Sequence, residues 1–223
     1  MGKVLAITLF VMASLAHVAQ ARPYFEAHTG WSSYSMGDVN AEIRLINSTI
    51  APLHMNEIGG GILYGAGFGA DLSGGASIGI AYDRLTGSTD VGDATGSLKY
   101  DVPGNVFRAT GHYAFKGQGS ARAHVGASLG IVSEDGTISL SATGSGSVHG
   151  DIKGSGALFE LFGGGDFKLG PQVSAMADVG YRQAKAGGIE VNGSPIYNAQ
   201  GDKYSVDFSG FMLRAGLKFF LSK

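Results

Sequence analysis

The stretch IGGGILYGAGFGADL (Ile58–Leu72) decides how this chain is read. Ile58, Ile62, Tyr64, Phe68 and Leu72 take even positions, while glycine takes positions 59, 61, 65, 67 and 69. A period of two is the pattern of a strand with two unlike faces. Glycine inside a strand costs about 0.5–1 kcal/mol relative to alanine. Concentrating that cost on one face makes sense where bulk cannot fit, so the glycine face is expected to look into a narrow interior beside Asp71. The apolar face then looks outward, with Gly60 as a gap in it.

The same period recurs along the chain. Strands are predicted near 23–33, 57–72, 75–87, 104–116, 120–133, 156–168, 172–183 and 204–221. Ser73–Gly74, Lys116–Gly119 and Leu169–Pro171 are short links, whereas 34–56, 88–103, 134–155 and 184–203 are long and rich in Gly, Ser, Asp and Asn. Short turns at one end and long polar loops at the other are the mark of an up-and-down barrel crossing a membrane, with the turns periplasmic and the loops extracellular. Helical spacing occurs in SMGDVNAEIRLINS (Ser35–Ser48), where Val39, Ile43 and Ile46 share one face and Ser35 or Asp38 is the expected cap. That helix reads as a lid or rim element folded against the barrel mouth, with a partner-docking helix as the alternative.

The two faces of the strands differ in charge. One parity carries Phe107, Ala109, Tyr113 and Phe115, then Val125, Leu129 and Ile131, then Phe159, Leu161 and Phe167, then Val173 and Val179, then Phe211, Leu213, Leu217 and Phe219, without a charge. An Arg or Lys at the lipid midplane costs about 2–4 kcal/mol, so this is the composition that lipid demands. The opposite parity holds Glu26, Asp71, Asp83, Glu160, Asp166 and Asp178 with Arg108, Arg122, Arg182, Arg214 and Lys218, and with His28, His112 and His124 among them. A charge network filling the lumen is therefore expected. Phe107 and Phe115, Phe159 and Phe167, and Phe211 and Phe219 are each eight residues apart. Eight residues of tilted strand rise about 20 Å, close to the ~25 Å between aromatic girdles.

Composition agrees. Glycine makes up 38 of 223 residues, cysteine is absent, charged residues are 15% and the net charge is −2. A basic excess is lacking, which argues against nucleic acid as a partner. The mean hydropathy is +0.12. Lys3, the apolar run Val4–Ala16 and the small residues of Ala19-Gln20-Ala21 read as a signal peptide over 1–21, with the barrel domain over 22–223.

Near the C-terminus, RAGLKFFL (Arg214–Leu221) places Arg214, Gly216, Phe219 and Leu221 at the spacing of the assembly signal of bacterial outer-membrane proteins. With the signal peptide, the faces and the alternating loops, the chain from Arg22 resembles the small OmpA/OmpX-like transmembrane barrels of Gram-negative bacteria. The chain departs in continuing through Leu221, Ser222 and Lys223, where the family commonly ends on an aromatic. The resemblance implies a monomer in the outer membrane, inserted by the barrel-assembly machinery, in contact with outer-membrane lipids and lipopolysaccharide. It implies a structural or surface-interaction role, with an extracellular partner reached through the loops.

Two other functions fit less well. Some barrels of this kind modify lipid A, which needs His with Ser and a carboxylate. His149 lies near Ser147 and Asp151, and His54 near Asn56 and Glu57, but the first set sits in a glycine-rich loop and the second lacks an adjacent serine. A soluble lipocalin-like barrel would turn its apolar parity inward and its charges outward, the reverse of the glycine face seen here. Neither a catalytic set, a metal site nor a cofactor is expected.

Overall fold

The computed structural model describes residues 21–49, 54–93, 96–115, 119–142 and 146–221. The predicted signal peptide therefore lies outside the described residues except for Ala21, as does most of the Lys116–Gly119 turn.

Eight strands close a ring: β1 (Arg22–Ser33), β2 (Gly60–Asp71), β3 (Ala76–Leu85), β6 (Gly104–Ala114), β7 (Ala121–Ala142), β8 (Gly146–Lys168), β9 (Val173–Val191) and β12 (Gly210–Phe220). Every neighbouring pair is antiparallel, and β12 pairs back onto β1 through Tyr24–Phe220 to Ser32–Met212. Closure leaves the ring no open edge to pair elsewhere. A single 3₁₀ turn (Ser73–Gly75) joins β2 to β3, with Gly74 and Gly75 at positive φ. Beyond β8, the Leu169 N–H donates to the Val173 carbonyl and closes a second tight turn.

The other end is more ordered than its composition suggests. Residues 134–142 and 146–155 are strand, not loop. Here β7 and β8 run on together, pairing from Ala121–Phe167 to Ala142–Gly146. β4 (Ser88–Gly92) pairs antiparallel with β5 (Gly96–Asp101), and β5 adds to the far part of β7. β9 continues to Val191 and is met by β10 (Ser194–Pro195) and β11 (Ser205–Asp207). Serine, threonine and glycine on an alternating frame extend the sheet here, because each new strand has an existing edge to bond to. The polar loop composition concealed this pairing.

The first long connection carries α1 (Gly37–Thr49), which buries Val39, Asn40 and Ile43. Neither expected cap acts as one: Ser35 Oγ donates to the Ser209 carbonyl, and Asp38 accepts from Ser205. Gly60, read as a gap in the outer face, is covered instead, since the Trp31 indole comes within 2.9 Å of where its Cβ would stand.

The outer wall is apolar. Phe107 (54% exposed), Phe115, Phe159, Phe167, Phe211 (67%) and Phe219 all point outward, joined by Trp31, Tyr64, Tyr113 and Tyr181. Large apolar side chains exposed around a closed ring, with charges inside, are the arrangement a lipid solvent imposes.

Candidate functional site

The interior is built in two layers, and the glycines of β2 explain the lower one. A Cβ on Gly65 would stand 2.6 Å from Asp83 Oδ1 and 2.8 Å from His28 Nε2; one on Gly67 would meet Glu26, and one on Gly69 the Tyr24 ring. The missing side chains are the space in which the neighbouring strands' polar groups sit. Gly164 does the same for Asp178, whose Oδ1 lies 2.3 Å from the position of a Cβ.

Into that space the lower layer packs an ion network. Arg182 Nε donates to Glu160 Oε1 at 2.7 Å, and its Nη2 reaches Asp83 at 3.3 Å. Arg108 Nε donates to Asp83 at 3.1 Å, and Arg214 spans Glu160 at 3.4 Å and Asp178 at 3.6 Å. His28 completes Asp83 at 2.7 Å. Nearer the turns, His124 lies between Asp178 (2.8 Å) and Asp166 (3.3 Å), and Lys218 bonds Asp166 at 2.8 Å. His112 stacks on His124 with ring centroids 5.0 Å apart.

The predicted luminal residues separate into three groups. Asp83, Arg108, Glu160, Asp178, Arg182, Arg214 and Lys218 are buried together. Glu26 is only half-buried and reaches His28 at 3.7 Å. Asp71 and Arg122 stand apart: they pair at 3.6 Å at the turn-end mouth, with the Arg122 side chain 44% exposed. Arg122 follows the turn directly, so it has water to reach and does not need the network. Of the C-terminal set, Arg214 is luminal, Gly216 lies against His28, Phe219 faces outward and Leu221 is exposed beyond the strand.

The upper layer of the lumen is apolar. Following seven of the eight strands on the same parity toward the long-loop end, the polar residues give way to Leu63, Leu85, Val106, Val132, Leu158, Ala184 and Met212, all buried. These meet Phe208, Tyr34 and Met36, and α1 lays Val39 and Ile43 upon them. The helix is pinned by polar groups around this core. Glu42 accepts from Tyr100 OH at 2.9 Å and Tyr204 OH at 2.8 Å. Burial, then the adjacent Glu42 carboxylate, pushes both phenols up, so they stay protonated donors. Burial alone would raise the Asp38 carboxyl, but hydrogen bonds from Ser205 and Asn198 hold it below its usual value. Asn40 clamps the N–H and C=O of Ile58, and Asn47 those of Met55, one helix face holding the returning strand by its backbone.

Sequence reasoning missed that pinning, since Glu42, Tyr100 and Tyr204 are far apart in the chain. Ser147, near His149 in the sequence, is not its partner. His149 Nδ1 bonds Ser139 Oγ at 2.9 Å across the β7–β8 hairpin, while Ser147 bonds Ser141. The Ser139–His149 pair is exposed on the outside of that hairpin. His54 is exposed, and Glu57 is taken by Arg44 at 2.9 Å. No cluster that could hold a metal occurs among the described residues.

No family model matches the chain, and no curated protein matches it. Among solved structures it is similar to Neisserial surface protein A, at 15% identity over 89% of this chain and 95% of that one, with a TM-score of 0.46. It is also similar to the Pseudomonas aeruginosa outer membrane protein OprG (12% identity, 91% and 97% covered, TM-score 0.44). The N-terminal β-barrel domain of P. aeruginosa OprF follows at 13%, with 91% and 100% covered and a TM-score of 0.42. By its own closed ring, outward apolar band and inward charges, the chain is an eight-stranded antiparallel transmembrane β-barrel.

Proposed function

We propose that the protein is a bacterial outer-membrane barrel acting through its extracellular end, as an element of envelope structure and surface interaction rather than as a pore or an enzyme. Support comes above all from the upper layer: an apolar core under a pinned helix fills the lumen just where an aqueous path would have to leave it. The lower layer adds a cavity of only about 20 Å³ beside His112 and His124, room for about one water. Eight strands in general leave an interior that side chains can fill. What remains to meet other molecules is the lid and the sheet of β4, β5, β7 and β8 beyond the membrane, together with the surrounding lipid. In this reading the chain is exported, assembled by the barrel machinery and monomeric, with lipopolysaccharide among its neighbours.

The test has two parts. Outer-membrane fractions should contain the protein as a band whose gel migration changes on heating. Purified barrels in planar bilayers should give no sustained conductance steps. Steady ion-conducting openings would overturn the closed-lumen reading, and an altered acyl pattern of lipid A in expressing cells would overturn the non-enzymatic one.

A further inference from the structure

Arg84 places a cation on the outer side of the wall. Arg84 belongs to the outward parity of β3, with Tyr82, Ile80 and Ile78, and stands opposite Asn105 of β6. Its Nη1 donates to Asn105 Oδ1 at 2.7 Å, and Tyr82 OH donates to the same oxygen at 2.7 Å. With Oδ1 occupied by two donors, the amide NH₂ of Asn105 is left to donate, beside a half-buried guanidinium that forms no ion pair among the described residues. Glu134, near enough to feel Arg84, is turned into the core and kept uncharged by burial. Asp135, on the outward parity of β7, stands opposite Lys153.

Directly below Arg84 the wall is grooved. Ile80, Ala109 and Leu129 form one row across β3, β6 and β7. Ile80 and Leu129 are 67% and 65% exposed and rise on either side of the small Ala109. The groove is open on the lipid side, with a volume of about 650 Å³, and Tyr82 and Phe107 line its upper end with their rings 5.0 Å apart. An arginine on the lipid face costs several kcal/mol at the midplane but about 0–1 near the interface. There its planar fork matches a phosphate.

We infer that Arg84 and Asn105 head a binding site for a phosphorylated outer-leaflet glycolipid of the lipid A class, its phosphate on the guanidinium and amide and one acyl chain in the groove over Ala109. The inference rests on the outer-membrane orientation proposed above, which puts Arg84 at the outer leaflet. The cation supplies the complementarity: an apolar groove alone takes any acyl chain, whereas a guanidinium and an amide at its head select a phosphate.

The mature barrel in detergent, mixed with hexa-acylated lipid A, tests this by native mass spectrometry. Bisphosphorylated lipid A should remain bound. Dephosphorylated lipid A and Arg84→Gln should each lower the bound fraction by about tenfold, the loss of one charge-assisted pair. Ala109→Phe, which fills the groove floor on the lipid side, should also lower it, while Arg122→Gln at the opposite mouth should not. Heat-modified migration of each variant shows that it is folded. Equal retention by Arg84→Gln, or equal retention of phosphatidylglycerol, would overturn the site while leaving the location intact. A chain that fails to fractionate with the outer membrane would overturn the location and the site with it.

Discussion

The two halves of the lumen solve one packing problem with opposite chemistry. Both are lined by the same parity of the same eight strands. In the lower half Asp83, Glu160 and Asp178 share Arg108, Arg182 and Arg214 within a shell of glycines. In the upper half leucine, valine and methionine interlock beneath Val39 and Ile43. The lower half must hold its charges where neither lipid nor bulk water solvates them, so its stability depends on every partner being present. The upper half lies next to water, and only there does covering an apolar surface with a helix bring hydrophobic stabilisation. An ion network can therefore be read as the barrel's rigid centre, and the apolar half as a separately docked cap.

That comparison can be broken most forcefully at Glu160. Glu160→Ala leaves Arg182 and Arg214 facing each other without their shared carboxylate, and should cost about 3–5 kcal/mol. Urea unfolding in detergent, followed by Trp31 fluorescence, reads this as a loss for the entire barrel; a change under about 1 kcal/mol would show that water substitutes for the network. Next comes Ile43→Ala, expected to cost about 2–4 kcal/mol by opening a cavity under the helix. Here the damage should stay local. Hydrogen exchange should speed up in Gly37–Thr49 and 54–59 but not in the lower strands, and equal acceleration in both would merge the two layers into one unit.

Smaller changes sharpen the picture. Tyr204→Phe removes one of two phenols on Glu42, and about 1 kcal/mol of lid stability should go with it; exchange of the α1 amides measures it. Glu134 gives a pH signature. Buried above the membrane with neither carboxylate oxygen hydrogen-bonded, it has its carboxyl pushed by burial up to about 9. A carboxyl raised on folding binds its proton more tightly in the folded state. Stability should therefore be highest below the ordinary carboxylate range and fall as pH rises toward 9. Glu134→Gln should raise the unfolding temperature by a few degrees at pH 8 and leave it unchanged at pH 4; equal effects at both would deny the titration.

Much of this was legible in the residues. Odd glycines in Ile58–Leu72, phenylalanines at eight-residue intervals and an outer parity free of charge over 107–115, 123–131, 157–167, 173–181 and 211–219 point to a ring and to its inside. The helix was visible in Val39, Ile43 and Ile46, although its cap was not, because Asp38 is drawn away by Ser205 on a strand remote in sequence. The paired extensions of β7, β8 and β9 were hidden in loop-like composition, as serine and glycine take strand geometry once an edge strand offers hydrogen bonds.

What the sequence alone determined is which side of each strand meets lipid, since a period of two is local and lipid excludes charge residue by residue. What only the tertiary structure decided is height. Leu63, Leu85, Val106, Val132, Leu158, Ala184 and Met212 become one layer through the register between strands, and register depends on closing the ring. The same closure brings Glu42 to Tyr204 and aligns Arg84 with Asn105, pairings no local pattern can contain, because each partner's position is set by a different strand.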